Sequence, residues 1–410
     1  MSVTDVQEAI TRAHHDEWAR VVASLTRRFG DLDIAEEATA DAFATAVARW
    51  PADGVHPNPA AWLTTTANHK AIDRIRRESK RDDKQKAAQM LYDDEPPEPL
   101  GAVEDERLRL IFTCCHPALA METRVALTLR MVGGLTVPEI ARAFLVQESA
   151  MGQRITRAKA KIKAARIPYR VPSVEDLPER VSGVLAVLFL VFNEGYLATG
   201  PDTDPVRREL TAEAIRLTRL IRTLMPDDGE VAGLLALMLL IDARRTARVS
   251  ASGELVPLDE QDRGSWDTAL VAEGHRLVRE RLASGVAPGR YQILAAINAV
   301  HTSVREFRDT DWSQVVALYD QLVRLDPSPI VALNRAVAVA ELDGPEVALA
   351  TVDRLEDTLA GYHAYHVTRA DLLRRLGRSQ QSRAAYDRAI ELAGNTAEIA
   401  YLTRRRDQLA

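Results

Sequence analysis

Met151, Ile155, Ala158, Ile162 and Ala165 fall at i, i+4, i+7, i+11 and i+14. That spacing lines one face of a helix and excludes a strand, whose apolar residues would alternate. The remaining faces of the same segment carry Gln153, Arg154, Arg157, Lys159, Lys161 and Lys163. Across residues 153–170 there are seven Lys/Arg and no acid. Just upstream, Thr136-Val137-Pro138-Glu139 has the spacing of a capping box, with Pro in the first turn where its missing N–H does no harm. The pattern predicts a short helix from 137 to 144, a turn, and a longer helix from about 148. A short helix, a tight turn and a second helix with an exposed basic face form a helix-turn-helix, whose second helix enters a DNA major groove. Two details depart from the usual form. The turn Phe144-Leu145-Val146 lacks a glycine, and Gly152 within the reading helix costs roughly 1 kcal/mol against Ala, which points to close packing or close approach to DNA.

Helical periodicity recurs along the whole chain and no alternating pattern is convincing, so the expected fold class is all-α. Asp33-Ile34-Ala35-Glu36 also has capping-box spacing. Ile34, Ala38, Ala42, Ala46 and Trp50 then mark one face, and Pro51 is expected to stop the helix. After a loop at 51–59 with one Gly and three Pro, Trp62, Leu63, Ala67, Ala71, Ile72 and Ile75 give a second buried stripe. Residues 68–86 hold eight Lys/Arg against four acids. Glu95-Pro96-Pro97-Glu98-Pro99 cannot be helix interior and reads as a linker. The expected organisation is a helical domain at 8–82, a linker at 83–103, the helix-turn-helix domain at 104–170, and a helical extension at 171–410.

The net charge of −6 is unevenly spread. Residues 1–170 hold 25 Lys+Arg and 24 Asp+Glu, and residues 171–410 hold 28 and 35. Phosphate binding depends on local fields rather than totals, so the basic stretches outweigh the acidic sum. The longest apolar runs, 183–192 and 231–241, are far short of the roughly 20 residues that a membrane helix needs. No export signal is visible at residues 1–12, and the expected location is the cytoplasm. Cys114 and Cys115 are adjacent and cannot make a disulfide framework. With His116 they read as packing rather than a metal site, because neighbouring side chains rarely share an ion. No nucleotide loop, nucleophile elbow or ligand spacing is present, so no enzyme, cofactor or metal is expected.

The C-terminal end repeats itself. Asp320, Asp353 and Asp387 lie 33 and 34 residues apart, while Ala336 and Ala370, like Leu342 and Leu376, are 34 apart. This is the spacing of tetratricopeptide helix pairs, expected from about residue 290, which stack into a concave surface that grips a peptide or another domain. Phe192-Asn193-Glu194-Gly195-Tyr196 follows a very apolar helix. Its Asn and Glu either cap that helix internally or join a binding pocket.

Residues 33–81 resemble region 2 of the extracytoplasmic-function sigma factors, and residues 104–166 resemble their region 4. The strings are Asp33-Ile34-Ala35-Glu36-Glu37-Ala38-Thr39-Ala40-Asp41-Ala42-Phe43, Pro59-Ala60-Ala61-Trp62-Leu63 and Ala71-Ile72-Asp73-Arg74-Ile75-Arg76-Arg77. Downstream come Leu135-Thr136-Val137-Pro138-Glu139-Ile140-Ala141 and Gln153-Arg154-Ile155-Thr156-Arg157-Ala158-Lys159. The C-terminal half looks like the subgroup with a tetratricopeptide-like extension. The resemblance implies two partners, promoter DNA and an RNA polymerase core met through its β′ clamp and β flap. It implies that exposed Glu36, Glu37 and Asp41, beside Phe43, dock on the clamp. Asn68, Asp73, Arg74, Arg76 and Arg77 would bind and melt the −10 element, with the 51–59 loop capturing a flipped base. Gln153, Arg154 and Arg157 would read base edges of the −35 element, and Lys159, Lys161 and Lys163 would hold its phosphates.

Two other readings remain open on the residues alone. One is a free-standing helix-turn-helix regulator with a tetratricopeptide sensor domain, which needs no acidic docking helix. The other is a scaffold whose basic faces are merely solvated. The acidic extension, net −7 by the counts above, is expected to act as a built-in regulator or to bind a protein or peptide partner.

Overall fold

A computed structural model describes residues 3–409 apart from 80–100, 145, 174, 197–207, 251–253 and 395. Most of the 83–103 linker lies outside the described residues, as do Lys80 and Arg81. The described residues form helices and no strand, with one isolated antiparallel bridge between Val249 and Leu255. The chain divides into two compact units, residues 1–190 and 191–410. The division falls within a helix, twenty residues beyond the expected boundary at 170.

The first unit opens with α1 (Val3–Phe29), α2 (Leu32–Asp53) and α3 (Pro59–Ser79). Trp18, Val21, Val22 and Leu25 of α1 meet Ala35, Ala38, Ala42, Ala46 and Trp50 of α2 and Leu63, Ala67 and Ala71 of α3 in a common core. The alanines let the three backbones approach closely. Two local expectations are corrected here. The N-cap of α2 is Asp31, not Asp33; its carboxylate accepts from the Asp33 and Ile34 amides at 2.9 and 3.3 Å. Pro51 does not stop the helix but sits in its last turn, and the helix ends at Gly54, whose φ is +83°. Its amide donates to Trp50 O at 3.0 Å.

Four helices follow: α4 (Gly101–Cys114), α5 (Met121–Met131), α6 (Val137–Ala143) and α7 (Glu148–Ala164). The capping box of α6 forms as expected. The Thr136 amide donates to Glu139 Oε2 at 2.7 Å, and the Glu139 amide donates to Thr136 Oγ1 at 3.4 Å. Met151, Ile155, Ala158 and Ile162 of α7 are buried. At Gly152 an added Cβ would lie 3.8 Å from Val137 Cγ1, an ordinary contact, so packing does not require the glycine there. Cys114 and Cys115 are buried in the core, where burial pushes the Cys115 thiol up to about 11 and Cys114 also upward. The next helix, α8 (Leu177–Tyr196), straddles the two units.

In the second unit, α9 (Arg208–Leu224), α10 (Gly229–Asp242), α11 (Arg245–Arg248), α12 (Thr268–Ala283) and α13 (Arg290–Thr302) come first. Nearly every residue of α10 from Val231 to Leu240 is buried, so the 231–241 apolar run is a central core helix. Gly233 permits this crossing, because a Cβ there would lie 2.6 Å from the Gln292 backbone nitrogen of α13. The series α14 (Trp312–Leu325), α15 (Pro329–Leu342), α16 (Pro345–Asp353), α17 (Glu356–Leu359), α18 (His363–Arg375), α19 (Ser379–Leu392) and α20 (Thr396–Asp407) completes the chain. The 34-residue period has a physical meaning here. Each repeated aspartate pairs with an arginine of a later helix: Asp320 with Arg335 at 2.6 Å, Asp353 with Arg369 at 2.9 Å, and Asp387 with Arg406 at 2.9 Å. Ala336 and Ala370 are wholly buried, giving α15 and α18 a small residue at the same place in the period.

Candidate nucleic-acid interface

The first unit holds all the residues singled out for polymerase and DNA contact. The helix-turn-helix and the end of α5 before it meet α1 and α2, and charge marks the seam. Arg130 at the end of α5 donates from Nε to Glu36 Oε1 at 2.6 Å, and Lys159 of α7 reaches Glu36 Oε2 at 2.7 Å. Lys159 also pairs with Asp33, and Lys163 pairs with Asp31 at 2.7 Å. Burial alone pushes the Glu36 carboxyl up, but Arg130 and then Lys159 overcome it and hold its pKa below the ordinary value. The Lys159 ammonium shows the mirror effect: burial pushes its pKa down, while Glu36 and Asp33 raise it.

Apolar and backbone contacts extend the seam. The Arg130 guanidinium lies over the Trp18 ring at 5.4 Å, and Trp18 packs on Phe43 at 5.8 Å between ring centroids. Gly134 comes so near α1 that a Cβ would sit 2.8 Å from the His14 ring and 3.0 Å from Trp18. Its φ of +75° also favours glycine. Beyond α7, the Tyr169 hydroxyl lies 3.0 Å from the carbonyls of both Ala23 and Glu106, while Glu106 accepts from Arg27 at 2.6 Å.

This arrangement sorts the expected contact residues. Glu36 and Phe43, expected on the exposed docking face of α2, are only 7% and 6% exposed. The misplacement has a simple cause: with Asp31 as N-cap, Glu36 is released from a capping role and turns to Arg130 and Lys159. Glu37 and Asp41 are exposed, and Glu37 pairs with Arg74. On α3, Asp73, Arg76 and Arg77 are exposed, while Asn68 is half-buried with an unpartnered side-chain oxygen. On α7, Gln153, Arg157, Lys161 and Lys163 are exposed, Arg154 is half-buried beside Glu122, and Lys159 is 9% exposed. Trp50 is core and Trp62 packs against it at 5.5 Å. Arg130 was not foreseen. Its signal was a lone cation in the apolar run Leu127-Thr128-Leu129-Arg130-Met131, which demands a buried partner.

No group of three or more potential metal ligands occurs among the described residues, and none of their helices is long and apolar enough to cross a membrane.

Comparison with known proteins matches the same segments. The model of sigma-70 region 2 matches residues 12–81, that of sigma-70 region 4 matches residues 109–162, and a family of unknown function (DUF6596) matches residues 180–282. An uncharacterized protein of Rhizobium meliloti (strain 1021) is 44% identical over 399 residues, covering 95% of this chain and 93% of its own length. No solved structure matches. Sigma-70 family members are transcription initiation factors rather than enzymes. The chain belongs to the sigma-70 family of sigma factors, which act in promoter recognition, and carries a helical C-terminal extension.

Proposed function

We propose that this protein is a sigma factor of the extracytoplasmic-function type that rests in a closed form. In that form its core-docking helix and its −35 reading helix hold each other. The observation that carries the reading is the Glu36–Arg130–Lys159 cluster, which joins α2 to α5 and α7 through buried charges. Lys159 cannot reach a phosphate while it is bound to Glu36 and Asp33. Promoter binding would exchange those carboxylates for DNA phosphates, an exchange of like for like. Buried ion pairs suit such a switch, because desolvation cancels much of their attraction and leaves little net energy holding the seam shut.

On this reading Glu37 and Asp41 offer the exposed docking charge on α2, while Asp73, Arg76 and Arg77 face the −10 element. Gln153, Arg154 and Arg157 read the −35 bases, with Lys161 and Lys163 on phosphates. The acidic extension, with its tetratricopeptide-like period, serves as a covalently attached regulator or partner-binding domain.

Run-off transcription with purified core polymerase tests the function. The full chain should direct promoter-specific initiation, and substituting both Glu37 and Asp41 with Ala should abolish core binding. If that double substitution leaves polymerase binding intact while the free chain binds its promoter alone, the protein is a free-standing regulator instead. Glu36→Gln should weaken the seam, free Lys159 for a phosphate and raise DNA affinity of the free chain; unchanged affinity would sink the closed resting form. Truncation after about Arg170 tests the extension, with unchanged transcription removing it from regulation.

A further inference from the structure

The second unit contains a cavity of about 370 Å³ that no function of the sigma regions uses. One side is apolar, formed by Val256, Pro257, Leu258 and Leu402 with the Tyr401 ring. The other side carries Arg244 and Arg248, neither of which makes an ion pair among the described residues. Arg244 is 9% exposed, its Nε makes no hydrogen bond, and Nη2 reaches only Asn298 Oδ1 at 3.5 Å. Arg248 donates to the Tyr196 carbonyl at 2.8 Å and lies over the Tyr196 ring at 3.3 Å. Among the described residues neither guanidinium pairs with a carboxylate. Of the nearby acids, Asp242 pairs with Arg245 at 3.2 Å, and Glu398, which also lines the cavity and acts on Arg248 through space, pairs with His363 at 3.3 Å.

The surroundings add positive charge. Arg263 donates to the carbonyls of His301 and Val304 at 2.6 and 3.1 Å and leaves Nη2 buried without a partner. His301 is held neutral, its pKa pushed down to about 4 by burial first and then by Arg244 and Arg263. Burial and Arg244 likewise push the Arg248 pKa down. A buried guanidinium without a counter-charge is costly, and proteins keep such groups chiefly where something else neutralises them.

We infer that this cavity binds a small amphipathic organic anion. Its carboxylate or phosphate would sit on Arg244 and Arg248 and its apolar body against residues 256–258 and Tyr401. Paired guanidinium forks match the oxygens of either headgroup. An apolar wall opposite a few fixed polar groups is the usual make-up of a small-ligand site. Tyr196 ends the Phe192-Asn193-Glu194-Gly195-Tyr196 segment, so that segment serves as the cavity's edge and orients Arg248. The extension then has a chemical input of its own, independent of the promoter-recognition reading.

The test is calorimetric titration of the full chain with benzoate and with phenyl phosphate, using neutral benzamide as control. Saturable binding of at least one anion and none of benzamide is expected, and the stronger anion identifies the headgroup. Arg244→Gln and Arg248→Gln should each weaken that binding by roughly tenfold or more, the loss of one charge-assisted contact. Arg248 is the more exposed of the two, so its variant decides the matter if the Arg244 variant does not fold. No saturable binding of either anion, equal binding of benzamide, or unchanged affinity in a folded Arg248→Gln protein would overturn the assignment. All of these readouts are independent of transcription.

Discussion

Buried charge is handled in opposite ways in the two units. In the first, Glu36 is buried and answered twice, by Arg130 and Lys159, with Asp33 completing a near-neutral cluster. In the second, Arg244 is buried to the same degree and answered by a neutral amide at long range. The first pattern locks two regions of the protein together. The second leaves an electrostatic demand that the protein itself does not meet. Buried charge thus marks a joint where it is paired and a binding site where it is not.

The largest expected effect breaks the joint. Glu36→Ala would strand Arg130 as a buried cation without an anionic partner and leave Lys159 with Asp33 alone, which costs about 3–5 kcal/mol. Denaturant unfolding measures it, and a loss below about 1 kcal/mol would place the cluster among surface ion pairs, erasing the contrast. Arg244→Gln, by comparison, removes no ion pair and should leave stability nearly unchanged or raise it.

Acid sharpens the contrast next. The unfolded chain protonates His301 at its ordinary 6.5, whereas the folded chain resists until about pH 4. Between those values the unfolded state binds the extra proton, so stability falls as pH drops through that window, by roughly 3 kcal/mol in total. Glu36 acts lower. Its folded pKa is depressed, so its contribution is present above the unfolded value of 4.5 and is lost as pH falls through the folded value. Stability against pH, compared between the parent chain and His301→Gln, should show a shallower slope in the variant only above pH 4. Parallel curves would mean that neither burial nor Arg244 and Arg263 lower the His301 pKa in the folded chain.

The smallest effect tests the rim of the joint. Lys163 pairs with Asp31, but its side chain is 76% exposed. Lys163→Ala should therefore cost no more than about 1 kcal/mol and less still in high salt. A loss matching that of Glu36→Ala would show that exposure, not burial, sets the strength of the seam.

Much of this was legible in the residues. The α7 stripe and the α6 capping box depend on neighbours close in sequence and took the expected form, except that Ala165, the last residue of the stripe, is the exposed C-cap of α7. The order of sigma regions was legible too, because their strings are local. What was misread depended on distant partners. Glu36 looked like a capping or docking residue because Arg130, 94 positions away, is invisible at the level of a single helix. Lys159 looked solvated because Glu36 lies 123 positions off. Phe43 looked exposed because nothing local announces Trp18 and His14.

The helices, the α6 cap, the family and the sign of charge on each face were legible in the sequence, since helical period and capping act within a turn or two; the ends of α2 were not. Tertiary structure alone decided which charges face water and which face each other. That is a matter of desolvation and of distances across the core, and it settled that α2 closes on α7 through Glu36 while Arg244 and Arg248 stand open above a cavity.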